Sequence, residues 1–281
     1  MDAPIQNASL DVALEEKEAR LKENLRAAES LIVALSGGAD SAYLAYVASR
    51  ELGASALAVT AVSPSLATEE RRQVEEFVRT FGIRHEFVET EELEDPAYRA
   101  NNPDRCYWCK DELFRKLEEM AHSRGFAAIA YGINADDTAD FRPGHRAASE
   151  HRVLSPLLDV GLTKAEIREL SRRAGLPTWD KPANACLASR LPYGTPVTVE
   201  TLETIDRGEA AVRALGFRQF RVRYHQELVR IEIAPDELPR ALTPEMAARF
   251  TEIFKGLGFA YVTLDLEGYR PGALNEVLKK H

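Results

Sequence analysis

Leu31-Ile-Val-Ala-Leu-Ser-Gly-Gly-Ala-Asp-Ser41 is an apolar run that ends in Ser36-Gly37-Gly38-Ala39-Asp40-Ser41 and then becomes a helical pattern with Leu44, Val47 and Ala48 on one face. The order is strand, tight loop, helix. Two glycines let the backbone fold sharply and approach an anion, and the first N–H groups of the next helix carry partial positive charge. The stretch predicts a site for a phosphate chain. No Gly-Lys-Ser/Thr follows the glycines, so a Walker loop fits poorly.

Working outward, a charged amphipathic helix is expected over residues 11–29, before the loop. After it come strand 56–62, helix 68–81, strand 84–88, helix 109–123 and strand 126–131. That alternation requires an α/β fold, a mostly parallel sheet with helices on both faces. Ligands of such sheets bind beyond the carboxyl ends of the strands, which directs attention to the loops after Leu35, Val62, Val88 and Tyr131. Two are long: residues 89–105, running into Asn101-Asn-Pro-Asp-Arg-Cys-Tyr-Trp-Cys-Lys110, and residues 132–144, opening with Gly132-Ile-Asn-Ala-Asp-Asp137. Long loops in a compact domain are usually functional. Thr163-Lys-Ala-Glu166 reads as a capping box opening a further helix. Two prolines and a glycine in Leu191-Pro-Tyr-Gly-Thr-Pro196 place a boundary, giving domains 1–195 and 196–281. The second, ordered helix, strand, strand, helix, strand, is expected to be a small α+β domain.

The 281 residues are 45% hydrophobic and 29% charged, the make-up of a globular protein. The first residues have no basic start or apolar signal core, and no run is long enough to span a bilayer, so a cytoplasmic protein is expected without membrane association. A net charge of −9 argues against a broad nucleic-acid footprint.

Cys106 and Cys109 form a Cys-x-x-Cys pair at a helix start, where the helix dipole favours thiolates, and Cys186 stands alone in another loop. Three readings stay open on the residues alone. A structural zinc site lacks a fourth ligand at a characteristic spacing; a redox disulfide, or plain buried cysteines, is the second; an iron–sulfur cluster on three cysteines, leaving one iron open, is the third.

Ser36 to Ser41 resembles the complete Ser-Gly-Gly-x-Asp-Ser signature of the PP-loop ATP pyrophosphatases, with their adenine-nucleotide α-hydrolase-like fold. The resemblance implies ATP held by Ser36, Gly37, Gly38, Asp40 and Ser41 and cut between its α and β phosphates, leaving an adenylylated acceptor and pyrophosphate. Pro103-Asp-Arg-Cys-Tyr-Trp-Cys-Lys110, Gly132 to Asp137, Phe141-Arg-Pro-Gly144, Ala185-Cys-Leu-Ala-Ser-Arg-Leu-Pro-Tyr-Gly194, Arg221-Val-Arg-Tyr-His225 and Tyr261-Val-Thr-Leu-Asp265 resemble the ATP-dependent sulfur transferases that build the nickel-pincer nucleotide cofactor. That likeness spans both domains. It implies a substrate, pyridinium-3,5-biscarboxylic acid mononucleotide, whose carboxylate is adenylylated and then displaced by sulfur.

Some members of that family sacrifice one cysteine, and Cys186 looks like that position. The added Cys106 and Cys109 resemble the cluster-bearing branch, which implies a [4Fe–4S] cluster on Cys106, Cys109 and Cys186. Mg²⁺ is expected to neutralise the triphosphate, with Asp40 and Asp137 as its contacts. Arg142, Arg190, Arg221 and Arg223 are expected to bind substrate phosphate and carboxylate, and Arg105 is a further clamp; Arg221 and Arg223 alternate on one strand and face one side. Trp108 is expected to stack on an aromatic ring. Glu209 reads as a solvated helix residue, with a substrate or metal contact as the sharper alternative, and His225 as a lone strand-end histidine. A homo-oligomer and an external sulfide source are expected. The competing readings are an iron–sulfur tRNA thiolase and a cluster-bearing nucleotide sensor.

Overall fold

A computed structural model of the chain describes residues 3–139, 143–182, 185–270 and 272–274. The chain divides into two compact units: Met1–Ser63, Glu70–Glu92 and Cys106–Asn184 form the first, and Pro64–Glu69, Leu93–Arg105 and Ala185–His281 the second. Compactness thus changes at 184/185, where the sequence suggested 195/196, and the second unit also takes two earlier segments. Among the described residues no helix is long and apolar enough to cross a membrane.

The first unit runs α1 (Ala3–Ala27), β1 (Leu31–Ala34), α2 (Ala39–Leu52), β2 (Ala56–Val62), α3 (Thr68–Phe81) and β3 (His85–Glu89). Across the segment α4 (Pro96–Arg99), which lies in the second unit, it resumes with α5 (Arg105–Arg124), β4 (Ala128–Tyr131), α6 (Pro143–Glu150), α7 (Pro156–Asp159) and α8 (Lys164–Arg173). Its four strands are parallel in the order β3-β2-β1-β4. Because successive strand residues point to opposite faces, Leu31 and Val33 of β1 enter one core while Ile32 and Ala34 enter the other. The first core takes Leu21 and Leu25 of α1, Leu44 and Val47 of α2, Val74 and Phe77 of α3 and Ile167 of α8. The second takes Leu113, Phe114 and Leu117 of α5 and Ala147 of α6. The chain moves from β1 outward to β3 and returns to β4 on the far side of β1, so the sheet has its switch point at β1 and β4.

The second unit adds α9 (Val199–Ala214), β5 (Phe220–His225), β6 (Leu228–Ile233), α10 (Leu238–Ala241), α11 (Pro244–Gly256) and β7 (Tyr261–Leu264). β5 and β6 are antiparallel, Phe220 facing Ile233, and β7 joins β6 in parallel. Val212, Phe217, Val222, Ile231, Phe250 and Phe254 form its core. The expected mostly parallel sheet flanked by helices and the small α+β unit are both present. The differences are short helices: α4, α6, α7 and α10 fall within segments read as loop or left unassigned. α4 has a readable cause, since Asp95 caps it by accepting from Ala97 N at 2.7 Å and Pro96 opens it.

Candidate active site

The Ser36–Ser41 loop lies at the carboxyl end of β1, at the switch point. Gly37 has φ +77°, and a Cβ there would lie 2.8 Å from Val74 Cγ2, so glycine is demanded twice. Gly38 is the N-cap of α2 and has no side chain to cap it, leaving the first turn of the helix to meet an anion. Ser41 closes the loop: its Oγ accepts from Ser36 N at 3.1 Å, donates to Gly38 O at 3.2 Å and lies 3.0 Å from Ser36 Oγ. Gly132, just past β4, presses on the same turn; a Cβ there would lie 2.6 Å from Ser41 N and 2.8 Å from Ser41 Cα.

Asp40 does not cap α2. Its Oδ2 lies 2.5 Å from Lys164 Nζ, while its Oδ1 is buried with no hydrogen-bond partner among the described residues. Lys164 is the first residue of α8, whose Thr163/Glu166 capping box is formed, and its backbone N–H donates to Asp136 Oδ2 at 2.8 Å. The box therefore aims a lysine at the phosphate loop across 124 positions of sequence. Asp137 Oδ2 accepts from Asn134 N at 3.2 Å, and burial together with the Asp137 charge pushes Tyr131 up to about 12. A hard cation takes oxygen ligands, and the orphaned Asp40 Oδ1 is an oxygen of the right kind, so Asp40 fits Mg²⁺. Among the described residues no group of three or more His, Cys, Asp or Glu side chains is gathered into a ready metal site.

α5 begins at Arg105, earlier than expected, so Cys106 and Cys109 both lie in its first turns, three residues apart on one face. Cys106 is exposed, Cys109 half-buried, and no disulfide involves either. Trp108 meets Tyr107 edge-on at 5.0 Å. Further along α5, Asp111 and Glu118 each hold His151, at 3.0 Å from Nε2 and Nδ1 respectively. Burial alone would lower this imidazole, but the two carboxylate hydrogen bonds outweigh it and raise it above its usual 6.5. A raised folded-state value gives stability that is complete below 6.5 and is lost as pH rises through the folded value. Accordingly, the urea midpoint should fall over that window above pH 6.5, and His151→Asn should flatten this part of the profile; an unchanged slope would remove His151 as its source.

In the second unit Cys186 is exposed on a loop whose backbone is pinned at successive carbonyls. Arg190 Nη1 donates to Ala185 O at 2.5 Å and Cys186 O at 3.1 Å, Arg105 Nη1 to Ala188 O at 2.9 Å, and Arg223 Nη1 to Ser189 O at 3.0 Å. Leu187 N donates to Ser65 O at 2.9 Å, and Arg105 Nη1 itself donates to the side-chain Oδ1 of Asn101. Each of two arginines also forms a bidentate pair, Arg190 with Glu209 at 2.8 and 3.0 Å and Arg223 with Glu232 at 2.9 and 2.8 Å. Burial alone would raise the Glu209 carboxyl; the Arg190 charge and hydrogen bonds hold it below its ordinary range. Arg221 stands 4.9 Å over the Tyr269 ring, and burial followed by the Arg190 charge lowers its guanidinium. On the face that Arg221 and Arg223 were expected to share, Arg223 is buried against Glu232 and Arg221 is half-buried.

Glu209 is not solvated: it is 3% exposed and is the counter-ion of Arg190. Arg190, expected to clamp phosphate, is 1% exposed and in this structure holds the Cys186 loop. His225 lies at the end of β5, where burial and then Arg230 and Arg223 lower its imidazole. Arg142 lies outside the described residues. The motifs did not point to Lys164, Glu232 or Lys181; the last donates to Gly37 O at 3.0 Å from 144 positions away.

A glycine loop at the switch point of a parallel α/β sheet, opening an uncapped helix beside an aspartate, defines a PP-loop ATP-dependent enzyme. Residues 18–122 match the family model described as asparagine synthase. The chain is 34% identical over 268 residues, 94% of its length and 95% of the relative's, to the pyridinium-3,5-bisthiocarboxylic acid mononucleotide synthase of Lactiplantibacillus plantarum, and belongs to that enzyme's family. It is also 44% identical over 267 residues, 95% of its length and all of the relative's, to an uncharacterized protein of Synechocystis. A probable tRNA sulfurtransferase of Methanobrevibacter smithii matches at 28% over 117 residues, 41% of this chain and 29% of that protein.

Proposed function

We propose that the chain adenylylates a carboxylate of pyridinium-3,5-biscarboxylic acid mononucleotide with ATP and converts it to a thiocarboxylate. The observation that carries this reading is an exposed Cys186 on a loop pinned by Arg105, Arg190 and Arg223, in a chain that also carries a complete phosphate loop. A carboxylate oxygen attacks the α-phosphorus, the bond to the bridging oxygen breaks, and pyrophosphate leaves with its electron pair. The uncapped start of α2 and the Lys164 ammonium receive that negative charge. A sulfide nucleophile then adds to the acyl carbon, and AMP departs to leave the thiocarboxylate. Arg221, half-buried on the strand face it shares with Arg223, offers a guanidinium of the kind that binds a substrate phosphate or carboxylate.

Asp40 would hold Mg²⁺, directly or through its water, and the ion would neutralise the triphosphate. Cys106, Cys109 and Cys186 are three thiols outside any disulfide, a donor set suited to iron–sulfur. Such a cluster, when bound, supplies an open iron able to hold a transferable sulfide. Acidity and the partial coverage of the tRNA sulfurtransferase relative weigh against a tRNA substrate.

Anaerobically purified protein is expected to contain iron and labile sulfide, and Cys106→Ala to lose multiple-turnover sulfur transfer while still binding ATP. Iron-free protein that leaves Cys186 lighter by one H₂S after one turnover would replace the cluster with a sacrificial cysteine. Failure of the dicarboxylate mononucleotide to elicit AMP would overturn the substrate assignment.

A further inference from the structure

We propose that Lys181 is a positioning residue that locks the Gly37–Gly38 peptide of the phosphate loop in one orientation. The ammonium of Lys181 donates to Gly37 O at 3.0 Å and to Glu70 Oε2 at 2.6 Å, and the two side chains are 15% and 13% exposed. The lysine is itself held in place. Arg168 Nη2 on α8 donates to Lys181 O at 2.8 Å, and Lys181 N donates to Thr178 O at 3.2 Å. This carrier is built to bring one cation to one loop carbonyl.

A trans peptide points its C=O and its N–H in opposite directions. With Gly37 O turned to Lys181, the Gly38 N–H faces the other side of the loop, where a phosphate oxygen needs a donor. Rotating that peptide by half a turn would reverse the two and present a carbonyl to the anion. Such a flip changes ψ of Gly37 and φ of Gly38, carrying Gly38 from its φ of −79° into the positive region that glycine alone enters freely. The glycines that let the loop fold therefore also leave it free to invert. Nothing within Ser36 to Ser41 prevents that, since Ser41 fixes Ser36 and the Gly38 carbonyl but not the intervening peptide. A charge-assisted hydrogen bond such as that from Lys181 biases the orientation by roughly 10- to 100-fold.

The inference rests on the loop as the ATP site, but its first test needs no ATP. In ligand-free protein labelled with ¹⁵N-glycine, the Gly38 amide should give a single sharp resonance. Lys181→Met should split or broaden it, and Lys181→Arg, which keeps a donor, should restore it. The AMP-forming kcat of Lys181→Met should fall at least about tenfold, with the melting temperature kept within a few degrees and most of the rate recovered in Lys181→Arg. An unaltered Gly38 resonance in Lys181→Met overturns the proposal and would assign the lysine to direct phosphate contact or to general stability. A shifted resonance with an undiminished rate overturns it as well. If the parent protein forms no AMP at all, the ATP reading fails, and the resonance still reports whether Lys181 holds the peptide.

Discussion

Arg190→Met is expected to destabilise the second unit by about 3–5 kcal/mol, because it removes one partner of a buried ion pair and leaves Glu209 charged and uncompensated. The loss goes beyond the pair: the same guanidinium holds Ala185 O, Cys186 O and Ser189 Oγ. Freed of those bonds, the loop would no longer present the Cys186 thiol in one place, so thiocarboxylate formation should fall at least 100-fold, on the order seen when a catalytic group is mispositioned. ATP binding by the first unit should survive. Urea denaturation and separate assays of ATP binding and sulfur transfer would show this. Arg190→Lys should rescue little, since an ammonium cannot reproduce the two-toothed bond to Glu209. Arg190→Met/Glu209→Gln should regain part of the stability without regaining transfer, because neither charge is then stranded. A single variant with the parent's midpoint and transfer rate would refute the anchoring role.

Gly132→Ala should disable the other half of the chemistry. Its methyl would press against the Ser41 backbone, which is fixed in the first turn of α2. A flexible side chain can yield to such a contact, but a helix start can do so only by moving the phosphate loop. The expected cost is about 3 kcal/mol, the upper part of the overpacking range, with ATP affinity reduced at least tenfold. Calorimetric ATP binding alongside the denaturation midpoint is the check. If affinity is retained, the close approach of β4 to α2 does not set the loop.

The stretch from Leu31 to Ser41 disclosed β1, the phosphate loop and α2 because each is governed by neighbours in sequence: an apolar strand, two glycines, a helical stripe. The capping box at Thr163 was legible for the same reason, but its Lys164 reads as an ordinary exposed helix residue until the fold brings Asp40 to it. Lys181 is hidden in the same way. Glu209 did leave a signal, since Leu202, Ile205 and Val212 of α9 are buried and Glu209 falls in their stripe. A carboxylate at a core position calls for a buried cation. The alternation of Arg221 and Arg223 gave their common face, but not their partners, because Glu232 comes from β6 and the Ser189 carbonyl from a loop before α9.

The second unit is made of three stretches, and side-chain bonds stitch them: Asn101 Nδ2 donates to Pro192 O at 2.8 Å and to Thr195 O at 2.9 Å. A ribosome therefore releases Pro64–Glu69 and Leu93–Arg105 long before Ala185–His281, the partner they need, has been made. Until then those two pieces stay unsatisfied, so this unit completes only after most of the chain has been synthesised. No single cut in the gene would lift it out whole, and recombination could not pass it to another protein as one cassette.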